Sequence, residues 1–158
     1  MTLLLLPLIP GALIAVLVLL GYGFSGLVRA GLRRAGREMW LRGFAFLLGG
    51  LATAFYLWGL LFVAGAVLGA EEHGAGSSPP MPCRTPGQEE RAAHVIDYSV
   101  SYVPLRFVCE TTGGGTYDPG SVPGYVNPAV LGFAVGAAAC AGAARFGAGR
   151  WGTERPAG

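Results

Sequence analysis

Two long stretches of this chain carry no charged side chain and a third carries only Arg145, next to its end, while the other charges are bunched between and after them. The first, "LLLLPLIPGALIAVLVLLGYGFSGLV" (Leu3–Val28), would reach about 39 Å as a helix, more than the roughly 30 Å of bilayer hydrocarbon. Pro7 and Pro10 each remove a backbone donor and are expected to restrict or kink its opening turns. The second, "GFAFLLGGLATAFYLWGLLFVAGAVLGA" (Gly43–Ala70), reads as another spanning helix, with Thr53 able to bond back to its own backbone. The third, "NPAVLGFAVGAAACAGAARF" (Asn127–Phe146), opens with Asn127 as expected N-cap and Pro128 at the first helical position. Gly132, Gly136, Cys140 and Ala144 recur along it at small-xxx-small spacing, a candidate helix-packing seam.

Between the second and third runs the pattern changes period. "HVIDYSVSYVPLRFVCETT" is dense in β-branched and aromatic residues, with Tyr98, Val100 and Tyr102 alternating against Asp97, Ser99 and Ser101. Pro104 breaks the run, marking an edge position or a bend between two short strands. Gly113–Gly115 reads as a turn, while the Gly-, Ser-, Pro- and acid-rich residues 71–91 read as a flexible lead-in to a β-like segment over 92–126. The expected fold is therefore membrane all-α: three transmembrane helices with a small β-containing loop outside the membrane.

Charge sets the expected orientation. The segment Arg29–Arg42 holds five Arg and one Glu, residues 71–126 hold three Arg and seven acids, and the tail from Arg145 holds three Arg and one Glu. The two basic segments fall on one side of a three-span chain, which the positive-inside rule assigns to the cytoplasm. The N-terminus and the acidic loop are then expected outside the cell membrane and the C-terminal tail, residues 147–158, inside. A cleaved signal peptide is the rival reading of the first run, but only Met1 and Thr2 precede the leucines and the run is long for an h-region. Arg29, Arg33, Arg34, Arg37 and Arg42 are candidate contacts for anionic lipid headgroups, and Leu32, Ala35, Met39 and Trp40 could share one face of a short surface helix among them.

Cysteine placement adds one covalent expectation. Cys83 and Cys109 both fall in the predicted external loop, where an oxidising compartment favours a disulfide, whereas Cys140 lies inside the third run as a small packing residue. Two unpaired or metal-ligating thiols are the alternative. Glu90 and His94 would share a face if helical, and His73 follows two acids, yet no repeated Cys/His spacing or HExxH occurs, so no metal or cofactor is expected. No G-x-S-x-G elbow is present, and "TGGGTYD" lacks the lysine a phosphate-binding loop needs, there being no Lys in the chain. A net charge of +2 without a basic patch gives no reason to expect nucleic acid.

The segments "PLRFVC" (Pro104–Cys109) and "VPGYVNP" (Val122–Pro128), with the glycine turn between them, resemble small uncharacterised integral membrane proteins of high-GC Gram-positive bacteria. The resemblance covers about a third of the chain. It implies three spans with an extracytoplasmic loop and brings no activity or functional residue. The expected function is that of a non-enzymatic membrane protein whose stapled loop contacts another protein or the cell envelope, with Tyr98, Tyr102 and Phe107 as candidate contact residues. A small oligomeric transport or channel component is the alternative.

Overall fold

The computed structural model of the chain describes residues 5–32, 36–71, 80–84, 86–87 and 89–150, the side chains of residues 32 and 147–150 excepted. Three helices dominate: α1 (Leu5–Leu32), α2 (Arg37–Glu71) and α4 (Val126–Arg150). Each is long and apolar enough to cross a membrane. Between α2 and α4 come a single 3₁₀ turn (Met81–Cys83), a four-residue α3 (Glu89–Ala92) and three strands, β1 (Val95–Tyr102), β2 (Leu105–Thr111) and β3 (Thr116–Tyr117). The strands form one antiparallel sheet in the order β1-β2-β3.

The helix ends differ from the expectation. Arg29 and Leu32 belong to the last turns of α1, and Arg37–Arg42 form the first turns of α2, so Met39 and Trp40 extend this long helix rather than lie in a separate short one. Helix propensity explains this: Arg, Leu, Met and Ala prolong a helix at little cost, and nothing in the segment except Gly31 and Gly36 resists it. Glu38 and Arg42, one turn apart, form a salt bridge across that first stretch of α2. Arg33, Arg34 and Ala35 lie outside the described residues.

The chain divides into two compact units, the first made of residues 1–10 and 56–127, the second of residues 11–55 and 128–158. In the second unit, α1 and α2 meet as an antiparallel pair with a reciprocal pattern. Leu20 of α1 lies over Gly50, Leu47 of α2 lies over Gly23, and Leu27 of α1 lies over Gly43; a Cβ at any of the three glycines would come within 2.6–2.9 Å of the facing leucine. The residue numbers of the three pairs have a constant sum, the mark of one fixed register. Each helix thus offers both a knob and a gap, letting the backbones approach closely. On the other flank of α2, Leu48 packs against Gly136 of α4, where a Cβ would sit 3.3 Å from it, and the rings of Phe55 and Phe133 stack 5.5 Å apart. Within this unit, then, Gly136 is used as a packing position, whereas Gly132 meets no neighbour within 4 Å. Cys140 is half-buried and unbridged, and Thr53 bonds back to the Gly49 carbonyl as expected.

In the first unit the core lies between the sheet and the last turns of α2. Leu60, Val63 and Val67, with half-buried Tyr56 and Ala70, recur at alternating spacings of four and three, giving α2 one continuous apolar stripe. Against it pack Leu5 of α1, Val95 of β1, Leu105, Phe107 and Cys109 of β2, and Tyr117 of β3. Gly59 makes the closest approach: a Cβ there would meet the Leu105 side chain at 2.5 Å and Val126 at 2.8 Å.

Candidate functional site

Position along the sheet decides which side chains reach the surface. β2 alternates strictly, with Leu105, Phe107 and Cys109 buried and Arg106, Val108 and Glu110 on the other face. Its register with β1 sets Tyr102 opposite Leu105, Val100 opposite Phe107 and Tyr98 opposite Cys109. Tyr98, Val100 and Tyr102 therefore share the inner face, as the alternation in the sequence implies. A bulge between Val95 and Asp97 leaves Ile96 without a cross-strand partner. It also shifts the phase of the strand, so that odd-numbered Val95 and even-numbered Tyr98 both point to the core while Ile96 stays 65% exposed.

This geometry corrects one expectation. Phe107, a candidate contact residue on sequence grounds, is fully buried, its ring stacked 5.2 Å from that of Tyr98. It is a core anchor because it shares a face with Cys109. Tyr98 and Tyr102 are half-buried on that same face. The Tyr98 hydroxyl donates to a Glu71 carboxylate oxygen at 3.2 Å, and the Tyr56 hydroxyl donates to the Tyr102 carbonyl at 3.2 Å, so both strand tyrosines are tied to α2. Burial, reinforced by the hydrogen bond to Glu71, pushes the Tyr98 hydroxyl above its ordinary pKa, and burial does the same to Tyr117. Exposed apolar positions of the sheet lie elsewhere: Ile96 at the bulge, and Val103, 89% exposed, at the β1–β2 turn. Pro104 completes that turn, with a cis peptide bond before it.

The sheet is held at both ends. Cys83 and Cys109 are joined in a disulfide, with Cα atoms 6.1 Å apart and both residues fully buried. It links the 3₁₀ turn to the middle of the sheet, and the Tyr117 hydroxyl donates to the Cys83 carbonyl at 2.6 Å beside it. At the opposite end, Asn127 grips the first residue of β2: its Oδ1 accepts from the Leu105 N–H at 3.0 Å and its Nδ2 donates to the Leu105 carbonyl at 3.1 Å. The expected N-cap role is thus displaced. Helix α4 starts one residue earlier, at Val126, whose N–H donates to the Pro123 carbonyl, and the Asn127 amide serves the strand instead. The glycine turn forms where expected: Gly114 adopts φ +74°, Thr111 N–H donates to the Gly115 carbonyl, and β3 follows.

The segment read as a flexible lead-in is structured where it is described. Met81–Cys83 form the 3₁₀ turn, and Glu89–Ala92 form α3. The Glu89 carboxylate accepts from the Gly87 N–H at 3.2 Å, and backbone hydrogen bonds, its own N–H first, hold its carboxyl below the ordinary value. His94 Nδ1 lies 2.8 Å from the Glu90 backbone carbonyl, not from its carboxylate. Among the described residues no three of His, Cys, Asp and Glu converge on one point. His73 lies outside the described residues.

Two grooves flank the outer turns of α2 in this unit. One, of about 460 Å³, is lined by Trp58, Leu61, Phe62, Gly65, Ala66, Pro82 and Ser121. Trp58 also donates its indole N–H to the Tyr125 hydroxyl at 3.3 Å, both side chains about half exposed. The other, of about 600 Å³, runs between the start of α1 and the end of α2, with Glu71 as its one charged residue among those described. No protein-family model matches the chain, and no curated protein or solved structure gives a significant match.

Proposed function

We propose that the chain is a non-enzymatic protein of the cell membrane, with its N-terminus outside and its C-terminus in the cytoplasm, whose stapled sheet presents a surface to another protein or to the cell envelope. The observation that carries this reading is the division of labour in the sheet. Its inner face packs on α2, its disulfide ties it to the 3₁₀ turn and Asn127 ties it to the start of α4, while the other face offers Arg106 and Glu110 with two exposed apolar side chains, Ile96 and Val103, at its margins. Exposed apolar side chains bordered by charged ones on a rigid sheet suit a partner site of modest size. The orientation rests on the arginines at the α1–α2 end, Arg29, Arg37 and Arg42 among them, which also suit anionic lipid headgroups.

A photo-crosslinking amino acid at Ile96 or at Val103, in the full-length chain in its native membrane, is expected to trap a discrete second protein or envelope polymer. The same probe at Phe107 should trap only the chain itself. Absence of any adduct at both exposed positions sinks the proposal. A second reading, a small oligomeric transport component, draws on Gly132, which faces open space within its unit and is placed to admit another helix. A stable homo-oligomer together with solute flux in proteoliposomes would favour it over partner capture.

A further inference from the structure

The groove between α1 and α2 in the first unit combines two properties that seldom coincide. Its wall is almost wholly aliphatic: Leu5, Leu6, Ile9 and Pro10 from α1 face Ala64, Val67 and Leu68 from α2. Leu6 and Leu68 remain 72% and 57% exposed. Among the described residues its one ionisable member is Glu71, at the last residue of α2. The carboxylate is oriented by the Tyr98 hydroxyl, and among the described residues no arginine forms a salt bridge with it.

The level of this groove matters. Trp40, near the basic start of α2, and Trp58, paired with Tyr125, stand 18 residues apart on one helix, about 27 Å, which matches the roughly 30 Å hydrocarbon thickness that aromatic belts bracket. Ala64 then lies about 9 Å and Glu71 about 20 Å beyond the Trp58 anchor along α2. The aliphatic wall stands at and beyond the headgroup layer, where acyl chains of the bilayer do not cover it, and a bare apolar trough in water is unfavourable. A volume of about 600 Å³ holds a body of several hundred cubic ångströms with room to spare. Aliphatic walls select an apolar body, and the carboxylate oriented by Tyr98 selects a positive charge on it.

We propose that this groove binds a free lipophilic organic cation, its apolar body between Leu6 and Leu68 and its charge at Glu71. The inference rests on the membrane-spanning reading above but not on partner capture at Ile96 or Val103, so either can fail alone. The test uses the full-length chain in nanodiscs of phosphatidylglycerol, with radiolabelled tetraphenylphosphonium as the probe and empty discs as baseline. Saturable binding is expected, roughly tenfold weaker in Glu71→Gln, which keeps an acceptor for Tyr98 but loses the charge, and unchanged in Glu90→Gln. Leu68→Trp, which narrows the trough where the apolar body would lie, should weaken it. Binding of neutral triphenylphosphine oxide should be indifferent to Glu71→Gln. Wild-type protease resistance of the sheet certifies that each variant is folded. Equal affinity for the cation in wild type and Glu71→Gln overturns the proposal. So does loss of wild-type binding when phosphatidylethanolamine is added to the discs, since the occupant would then be the ammonium headgroup of a membrane lipid.

Discussion

Gly59 and Gly65 sit less than two turns apart on α2, and the difference between them shows how local the constraints on this chain are. At Gly59 a Cβ would collide with Leu105 and Val126; at Gly65 it meets nothing within 4 Å. Both glycines lower helix propensity by about 1 kcal/mol relative to alanine. Gly59→Val is therefore expected to destabilise the first unit by about 1–3 kcal/mol through overpacking, and Gly65→Ala to leave it unchanged or slightly more stable. Thermal unfolding in detergent, followed by protease sensitivity of the loop between β1 and α4, distinguishes the two; equal effects would mean that Leu105 does not rest on Gly59. Phe107 marks the limit of reading single residues from sequence. Its aromatic character suggests a contact residue, but the alternation of Leu105, Phe107 and Cys109 against Arg106, Val108 and Glu110 already carried the signal that it faces inward. Asn127 was less legible: an Asn before Pro suits an N-cap, and only the fold brings Leu105 within reach of its amide.

Among the elements, the 3₁₀ turn depends most on a single bond. Its three residues form no ladder and contribute one buried side chain, Cys83, so the disulfide and the Tyr117 hydroxyl hold it to the sheet. In the chain-entropy description, closing a loop of this length stabilises the fold by roughly 3.5 kcal/mol. Replacing Cys83 and Cys109 together by Ser should remove about that much from the first unit and open residues 81–117 to protease, while the far-ultraviolet helical signal of the three long helices persists. A protease-resistant double variant would show that apolar packing alone suffices. The pairing was legible because both cysteines lie in one predicted external loop. The strands were legible as well, through their period of two, although the bulge at Ile96 was not, since an extra residue changes phase without changing composition. The glycine contacts of α1 with α2 were invisible for another reason: glycines occur throughout both helices, and only a known register tells which of them face a leucine.

For the whole molecule, three apolar helices and an intervening stapled sheet follow from the pattern of charge-free runs and the change of period between them. Orientation is the property that a sheet-borne surface most depends on. A Val103→Cys variant should react with a membrane-impermeant maleimide on intact cells, and an Arg29→Cys variant only after permeabilisation; the reverse result would place the sheet in the cytoplasm and leave its disulfide without an oxidising compartment. The 35 residues of α2 would extend about 52 Å, well beyond a bilayer's hydrocarbon. Its length is reconciled with its packing because the sheet covers one side of its last turns.

The alternation of leucine and glycine between α1 and α2 has a consequence for how the chain reaches its fold. Sliding one helix past the other by a single turn would set Leu20 or Leu27 against a side chain instead of a gap, so neighbouring alignments are sterically penalised rather than merely less favourable. The two helices are also adjacent in sequence, which keeps the entropic cost of closing the hairpin small. The hairpin can consequently settle into its final alignment while residues 72–158 are still being synthesised.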